Sequence, residues 1–142
     1  MDNCLFIDTW GWLTFHDSRE LYHQGTVKFY KKFLAKKGII YTTDYILDET
    51  FTLLFKRLGS YKAKLAMESL LKSFLDERFN LIFITADRFE STHKMRIKYL
   101  DKPQISFTDL SSMVVMKELG ISLILTGDDH FSQVGMGFIK VP

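Results

Sequence analysis

Short apolar runs that alternate with longer amphipathic segments are the feature of this 142-residue sequence that most restricts its fold. Each run has four or five residues, which suits a strand better than a helix. Continuous apolar runs of this length are typical of strands covered on both faces, as in parallel sheets. The predicted strands are Cys4–Ile7 and residues 39–42, 81–85, 121–125 and 138–141.

The segments between these runs are predicted to be helices because their apolar residues recur every three or four positions. Ser60 is expected to cap one of them, and Asp87 with Glu90 resembles the capping box that begins another. The predicted helices cover residues 19–37, 44–58, 60–78, 87–100 and 106–119, and residues 126–137 are expected to form a loop. On the helix over residues 60–78, the side chains predicted to face inward are Leu65, Leu70, Leu71, Phe74 and Leu75.

This order of elements predicts an α/β protein, a three-layer α/β/α sandwich around a mostly parallel sheet of four to five strands. Residues 1–142 are expected to form a single domain, because a chain of this length buries one core. The composition excludes an intrinsically disordered chain, since 46% of residues are apolar and 19 basic residues stand against 17 acidic ones.

The sequence also indicates where the protein acts. The single cysteine, Cys4, cannot form an internal disulfide, and a reducing compartment is therefore favoured. The first residues lack the basic segment and long apolar run of a signal peptide, and the apolar runs are too short to span a bilayer. We therefore expect a cytoplasmic protein with no membrane contact.

Carboxylates follow the predicted strands at the edge where open α/β sheets bind their ligands. Asp8 is the most informative of them, because it directly follows a buried strand and no capping motif explains it. The others lie after the second strand, at the start of the helix over residues 106–119, or after the fourth strand. The candidate acids are Asp8, Asp48, Glu49, Asp109, Asp128 and Asp129.

Several carboxylates in one place repel each other unless a divalent cation neutralises them. Ligands that are all oxygen favour Mg²⁺ or Mn²⁺ over zinc. The histidines lack a zinc-site spacing such as HExxH, and we expect them at the surface or behind the metal ligands. These histidines are His16, His23, His93 and His130.

Four segments, in chain order, resemble those of the PIN-domain nucleases, and the VapC-like branch is the most similar. They are LFIDT at residues 5–9, YILDE at 45–49, SFTD at 106–109 and TGDDHF at 126–131. The resemblance spans nearly the whole chain and implies that Asp8, Glu49, Asp109 and Asp128 form the catalytic, metal-binding site, with Thr9 and Thr126 in support. The residues alone do not decide whether Asp48 or Glu49 is a ligand, or whether Asp128 or Asp129 is one. Only the register of the motifs selects within each pair.

The activity implied by this resemblance is that of a metal-dependent ribonuclease. Asp8 and Asp109 would hold one or two Mg²⁺ or Mn²⁺ ions, which activate a water for in-line attack on an RNA phosphodiester bond, while Glu49 and Asp128 complete the site. The expected product carries a 5′-phosphate and a 3′-hydroxyl. The resemblance further implies a toxin of a toxin–antitoxin pair, with a small antitoxin protein as partner, and a homodimer.

Basic residues before Asp109 are candidates for holding RNA at the rim of an acidic pocket. The alternative is that they form the solvated face of an amphipathic helix, and the sequence does not separate the two. The candidate RNA-binding residues are Arg88, Lys94, Arg96 and Lys98.

Two other functions fit part of the pattern. A haloacid-dehalogenase-type phosphatase also places an aspartate after its first strand, but it requires a second acid two residues later, where this chain has Trp10. A catalytically silent module that keeps the PIN fold to bind RNA or protein is the other alternative. Retention of all the acids argues against it, because an unused carboxylate cluster is electrostatically costly.

Overall fold

The computed structural model describes residues 3–142, in which five strands form one parallel sheet. The strand order is β3-β2-β1-β4-β5, and Leu5 of the central strand lies between Ile40 and Leu123 of its neighbours. The predicted α/β fold class is confirmed. The strands are β1 Cys4–Ile7, β2 Ile39–Thr43, β3 Asn80–Ile82, β4 Leu123–Leu125 and β5 Ile139–Val141.

Seven helices connect and cover these strands in the described part of the chain. They are α1 Thr9–His16, α2 His23–Ala35, α3 Asp44–Arg57, α4 Ser60–Leu75, α5 Ala86–Lys98, α6 Phe107–Leu119 and α7 His130–Gln133. The prediction missed α1, and it also missed α7, which lies within the expected loop 126–137. The capping interpretation of Asp87 with Glu90 is wrong, because the Thr85 hydroxyl accepts the Arg88 N–H and caps α5.

The core explains why β1 is a continuous apolar run. All four of its residues are buried, because β1 lies between β2 and β4 and helices cover the sheet. Apolar side chains of α3 and α6 pack into the same core, among them Ile46, Leu110 and Met113. The interpretation of residues 1–142 as one domain stays a prediction, and residues 1–2 lie outside the described part.

Helix α4 differs from its prediction in the side that it buries. Ala63, Ala66 and Leu70 face the protein, whereas three side chains predicted to point inward, Leu65, Leu71 and Leu75, are exposed. At 100° per residue these three leucines fall on the opposite side of the helix from Ala66 and Leu70. Helix α4 therefore carries an apolar outer surface. Across residues 3–142, none of the helices combines the length and the apolar character needed to cross a bilayer.

The chain changes direction along the sheet at β1. It runs from β1 to β2 and β3 on one side, then returns to β4 and β5 on the other side. In open α/β sheets the ligand site lies beyond the carboxyl ends of the strands at such a reversal. Here that position is occupied by Asp8, which follows β1, and by Thr126, which follows β4.

Candidate metal centre

Asp8 begins helix α1 as its N-cap. One carboxylate oxygen accepts the Gly11 N–H at 2.9 Å, so the expectation that no capping motif accounts for Asp8 is wrong. Gly11 is needed at this place because a Cβ there would lie 2.7 Å from the Ile7 side chain and 2.8 Å from the Leu125 carbonyl oxygen. The absent side chain lets α1 approach the carboxyl ends of β1 and β4 closely.

A chain of hydrogen bonds fixes the orientation of α1. The Trp12 indole N–H donates to the Thr42 hydroxyl at 3.1 Å, and that hydroxyl donates to the Ile7 carbonyl at 3.0 Å. Trp10 packs against Gly127, where any Cβ would overlap its indole ring. Both tryptophans therefore have packing roles beside Asp8, and the loop after β4 is held against α1.

Asp8 is a buried carboxyl group that has no basic partner among the described residues. It is only 3% exposed, and within residues 3–142 it forms no ion pair. Burial raises the pKa of Asp8 from 3.8 to about 8, against the lowering effect of hydrogen bonds from Thr126 and the Gly11 N–H. The negative charges of Asp128 and Asp109 raise this pKa further. These acids therefore lie close enough to repel one another.

Asp109 reaches the same place from the first turn of α6. Ser106 caps this helix by accepting the Asp109 N–H at 3.0 Å, as the sequence predicted for Ser106 or Thr108. Burial raises the pKa of the Asp109 carboxyl group, the hydrogen bond with His130 lowers it, and the charges of Asp128 and Glu49 raise it. Asp109 therefore lies within electrostatic reach of Asp8, Asp128 and Glu49, the other acids that the motifs single out.

The loop after β4 contributes Asp128 and His130. The Asp128 carboxylate accepts the His130 backbone N–H at 3.0 Å, and the Asp128 N–H points to the Thr126 hydroxyl at 3.4 Å. The imidazole Nδ1 of His130 lies 2.9 Å from Asp109 Oδ2 and 3.7 Å from Asp128 Oδ1. Asp109, Asp128 and His130 each offer a ligand atom, and these atoms lie within 4.8 Å of one another.

The neighbouring acids that the sequence left open have different surroundings. Glu49 is half-buried and its charge raises the pKa of Asp109, whereas Asp48, the preceding residue of α3, is exposed. Asp129 is 75% exposed and pairs with Lys140 at 3.2 Å, whereas Asp128 contacts His130. These surroundings favour Glu49 and Asp128, although the assignment of both as ligands stays a prediction.

The donor set fits a divalent cation. Asp109 and Asp128 offer the oxygen ligands that Mg²⁺ and Mn²⁺ accept, and the pKa values of Asp8 and Asp109 are raised by burial and by neighbouring negative charges. The Thr9 hydroxyl, next to Asp8, is a buried oxygen with no hydrogen-bond partner in the described structure. An ion with bound water would neutralise the acids and offer this hydroxyl a partner.

A groove of about 600 Å³ lies between α3 and the start of α6. Asp48 and Glu49 line it from α3, and Phe107 and Thr108 line it from α6. Lys56 lies at the same groove, a basic residue that the sequence analysis did not single out. Helices α3 and α6 are far apart in the chain, and no local sequence pattern indicates that they contact each other.

The four predicted RNA-binding residues divide into two groups. Arg88 is bound by Glu118 and the Phe83 carbonyl, and Arg96 donates to the backbone carbonyls of residues 99, 102 and 105. Arg96 therefore holds the segment that leads into α6. Lys94 and Lys98 are exposed; Lys94 lies 3.6 Å from Glu90 on the same helix, and Lys98 Nζ lies over the Tyr99 ring, 5.5 Å from its centroid. RNA binding by all four stays a prediction.

The chain is similar to known proteins over nearly its whole length. The family model for the PIN domain matches residues 5–136. A "VapC ribonuclease" of Archaeoglobus fulgidus is 31% identical over 134 residues, which cover 92% of this chain and 81% of that protein. The "23S rRNA-specific endonuclease VapC20" of Mycobacterium tuberculosis is 29% identical over 137 residues, which cover 96% and 97% of the two chains.

Two solved structures are similar in fold. The crystal structure of Mycobacterium tuberculosis VapC20, described as a "Sarcin-Ricin loop cleaving toxin", superposes with a TM-score of 0.79 at 27% identity and covers 96% of this chain and 98% of that chain. VapBC2 from Rickettsia felis, bound to a DNA fragment from their promoter, gives a TM-score of 0.67 at 14% identity, with 97% of each chain covered. The second likeness concerns the fold alone.

Proposed function

The chain belongs to the PIN-domain family, with VapC proteins among its relatives, and from that membership we propose that it is a metal-dependent endoribonuclease. The resemblance indicated by the sequence motifs is thereby confirmed. The haloacid-dehalogenase alternative is set aside, because the PIN match covers the segments on which that alternative depended. The observation that carries the proposal is the buried Asp8 carboxyl group, on which the charges of Asp128 and Asp109 act and which forms no ion pair within residues 3–142.

Each proposed site residue has a defined task. A bound Mg²⁺ or Mn²⁺ ion polarises the scissile phosphate and lowers the pKa of water, so that hydrolysis needs no histidine base or serine nucleophile. Asp8 and Asp109 would hold the ion, and Asp128 and Glu49 would complete the oxygen ligands or orient water. Thr126 orients the Asp8 carboxylate by hydrogen bonding.

The proposed substrate is RNA, bound along the groove between α3 and α6. The Phe107 and Tyr45 rings line this groove and can stack on unpaired bases, and Lys56 can contact a phosphate. Ribosomal RNA is the first RNA to test, because the VapC20 relative is named for 23S rRNA. With such a substrate, we propose that the protein acts in the cytoplasm.

The proposed biological role is that of a toxin with a small antitoxin as protein partner, by analogy with VapC20, which is described as a toxin. Exposed apolar side chains on α4 are compatible with a protein partner. A depression of about 440 Å³ lies beside them and is lined in part by Leu58, Leu65 and Ala66. The homodimer stays a prediction.

The test is a cleavage assay with purified protein loaded with Mg²⁺ or Mn²⁺. We expect cuts in 23S rRNA or in labelled single-stranded RNA that leave a 5′-phosphate and a 3′-hydroxyl, and loss of these cuts with a chelator. Asp8→Asn and Asp109→Asn should abolish cleavage, while Asp129→Asn, which changes an exposed acid, serves as the matched control. RNA binding without cleavage in either metal would support the catalytically silent module instead.

A further inference from the structure

His130 brings a nitrogen atom into a site that otherwise consists of oxygen ligands. Among the histidines of residues 3–142 it is the one that contacts the acids, with Nδ1 2.9 Å from Asp109 Oδ2 and 3.7 Å from Asp128 Oδ1. The sequence analysis expected every histidine at the surface or behind the ligands. The side chain of His130 is only 25% exposed, and its ring nitrogen faces the carboxylates.

The local structure holds His130 in this position. Its backbone N–H donates to the Asp128 carboxylate at 3.0 Å, so the residue is fixed through the main chain as well as through the ring. Helix α7 begins at His130, and the next residue, Phe131, is 1% exposed in the core. The imidazole is therefore presented by a packed turn and does not depend on a free loop.

The distances are those expected of ligands that share one ion. Two ligand atoms bound at right angles about 2.1 Å from a divalent ion lie about 3 Å apart. The separations of 2.9 Å and 3.7 Å between Nδ1 and the two carboxylate oxygens bracket that value. A neutral imidazole with its hydrogen on Nε2 presents the Nδ1 lone pair toward the same space.

We propose that His130 is a direct nitrogen ligand and that it makes this site prefer Mn²⁺ over Mg²⁺. The inference rests on the proposed function, because it assumes that the acids hold a divalent ion. Mg²⁺ is bound almost entirely by oxygen, whereas imidazole is a good ligand for transition metals. The competing arrangement keeps Nδ1–H as a donor to Asp109, so that His130 orients the carboxylate without touching the ion.

Metal selectivity separates these two arrangements. Mn²⁺ binding is measured by electron paramagnetic resonance, with Mg²⁺ as competitor, for the wild type, His130→Ala and the control His93→Ala, which removes an exposed histidine on α5. We expect His130→Ala to weaken Mn²⁺ binding by about tenfold or more and Mg²⁺ binding by less than about threefold. An equal loss for both metals would overturn the proposal in favour of the orienting role.

A second measurement detects the nitrogen ligand directly. Pulsed electron paramagnetic resonance on the wild type with Mn²⁺ detects a directly coordinated nitrogen, and we expect that signal in the wild type and in His93→Ala but not in His130→Ala. Bound Mn²⁺ without a nitrogen signal in the wild type overturns this inference and leaves the proposed nuclease function intact. Failure of the wild type to bind either metal overturns both.

Discussion

Two buried aspartates lie at opposite ends of helix α1 in opposite electrostatic surroundings. Asp8 precedes the helix at 3% exposure, and Asp17 follows it at 5% exposure. The Arg19 guanidinium donates to both oxygens of Asp17 at 3.0 Å, and this hydrogen bonding lowers the pKa of Asp17. Burial and two neighbouring acids act on Asp8 instead and raise its pKa to about 8.

The difference separates an acid that is neutralised within the chain from the acid that we propose to bind the divalent ion. Asp17 has its counter-charge within the chain, and Arg19 also donates to the Arg57 carbonyl, so the pair ties the end of α1 to the end of α3. Within residues 3–142, Asp8 has hydrogen-bond donors and other acids as neighbours and forms no ion pair. We propose that the divalent ion supplies its counter-charge.

The largest expected effect is the difference in the rate of RNA cleavage between variants that lack the Asp8 charge and variants that lack the Asp17 charge. Asp8→Asn should lower the rate of RNA cleavage by at least about 1,000-fold, because the variant loses a ligand of the ion that activates water. Asp17→Asn should change the rate by less than about threefold. Initial rates at saturating metal give the measurement, and a comparable loss in both variants would remove the distinction between the two ends of α1.

Two adjacent residues of α3 extend the same distinction. Glu49→Gln should lower cleavage by about 10- to 100-fold, because the charge of Glu49 acts on Asp109. Asp48→Asn should have little effect, because Asp48 is exposed. Rates for the two variants under identical conditions provide the check, and the reverse order would identify Asp48 as the ligand.

The pH dependence of stability should have opposite signs at the two ends of α1. Because the folded protein binds the Asp8 proton more tightly than the unfolded chain does, metal-free protein should lose stability as pH rises from about 4 to about 8. Asp8→Asn should remove that loss and raise the free energy of unfolding at pH 8. Asp17, whose folded pKa is lowered, contributes stability that is lost as pH falls through that lowered pKa.

Urea unfolding in the presence of a chelator, repeated from pH 4 to pH 9, measures both effects. The control is the double variant Asp8→Asn with Asp17→Asn, in which both contributions should vanish. A wild-type protein that becomes more stable between pH 5 and pH 8 without metal would contradict the assignment of Asp8. Added Mn²⁺ should restore the stability of the wild type and leave the stability of Asp8→Asn nearly unchanged.

The smallest effect concerns the cations of α5. Replacing Lys94 and Lys98 by Ala should make the plot of log affinity for RNA against log salt shallower by about 1.4, since each phosphate contact in single strands contributes about 0.7. Lys28 and Lys31 on α2 form the control pair. An unchanged slope would indicate that Lys94 and Lys98 belong to the solvated face of the helix and do not contact RNA.

Arg96→Ala should mainly disturb the folding of the segment before α6.

The sequence was sufficient for the sheet and for most helices because their signals are local. Buried parallel strands are continuous apolar runs, and Gly120 in the left-handed conformation ends α6 where predicted. Helix α1 was missed because its sequence, TWGWLTFH, is rich in aromatic and β-branched residues, contains glycine and lacks a polar face. Its helical form comes from packing on the sheet, which no periodicity reveals.

The acids of the site could be predicted from the sequence, but the contacts that they make could not. Asp8 and Asp128 could be found because each follows a buried strand, and parallel strands end at a common edge. The contact of His130 with Asp109 joins residues 21 positions apart and depends on the turn that starts α7. The exposure of Leu65 and Leu71 was mispredicted because apolar spacing alone does not say which side of a helix meets the core.

A crystal soaked with Mn²⁺ tests the central claim most directly. We predict an anomalous scattering peak at the carboxyl ends of β1 and β4, with oxygens of Asp8 and Asp109 as ligands and no peak beside Asp17. The peak should be absent in Asp8→Asn crystals prepared in the same way. A wild-type crystal with no Mn²⁺ at Asp8, or with the ion bound elsewhere, would contradict the account.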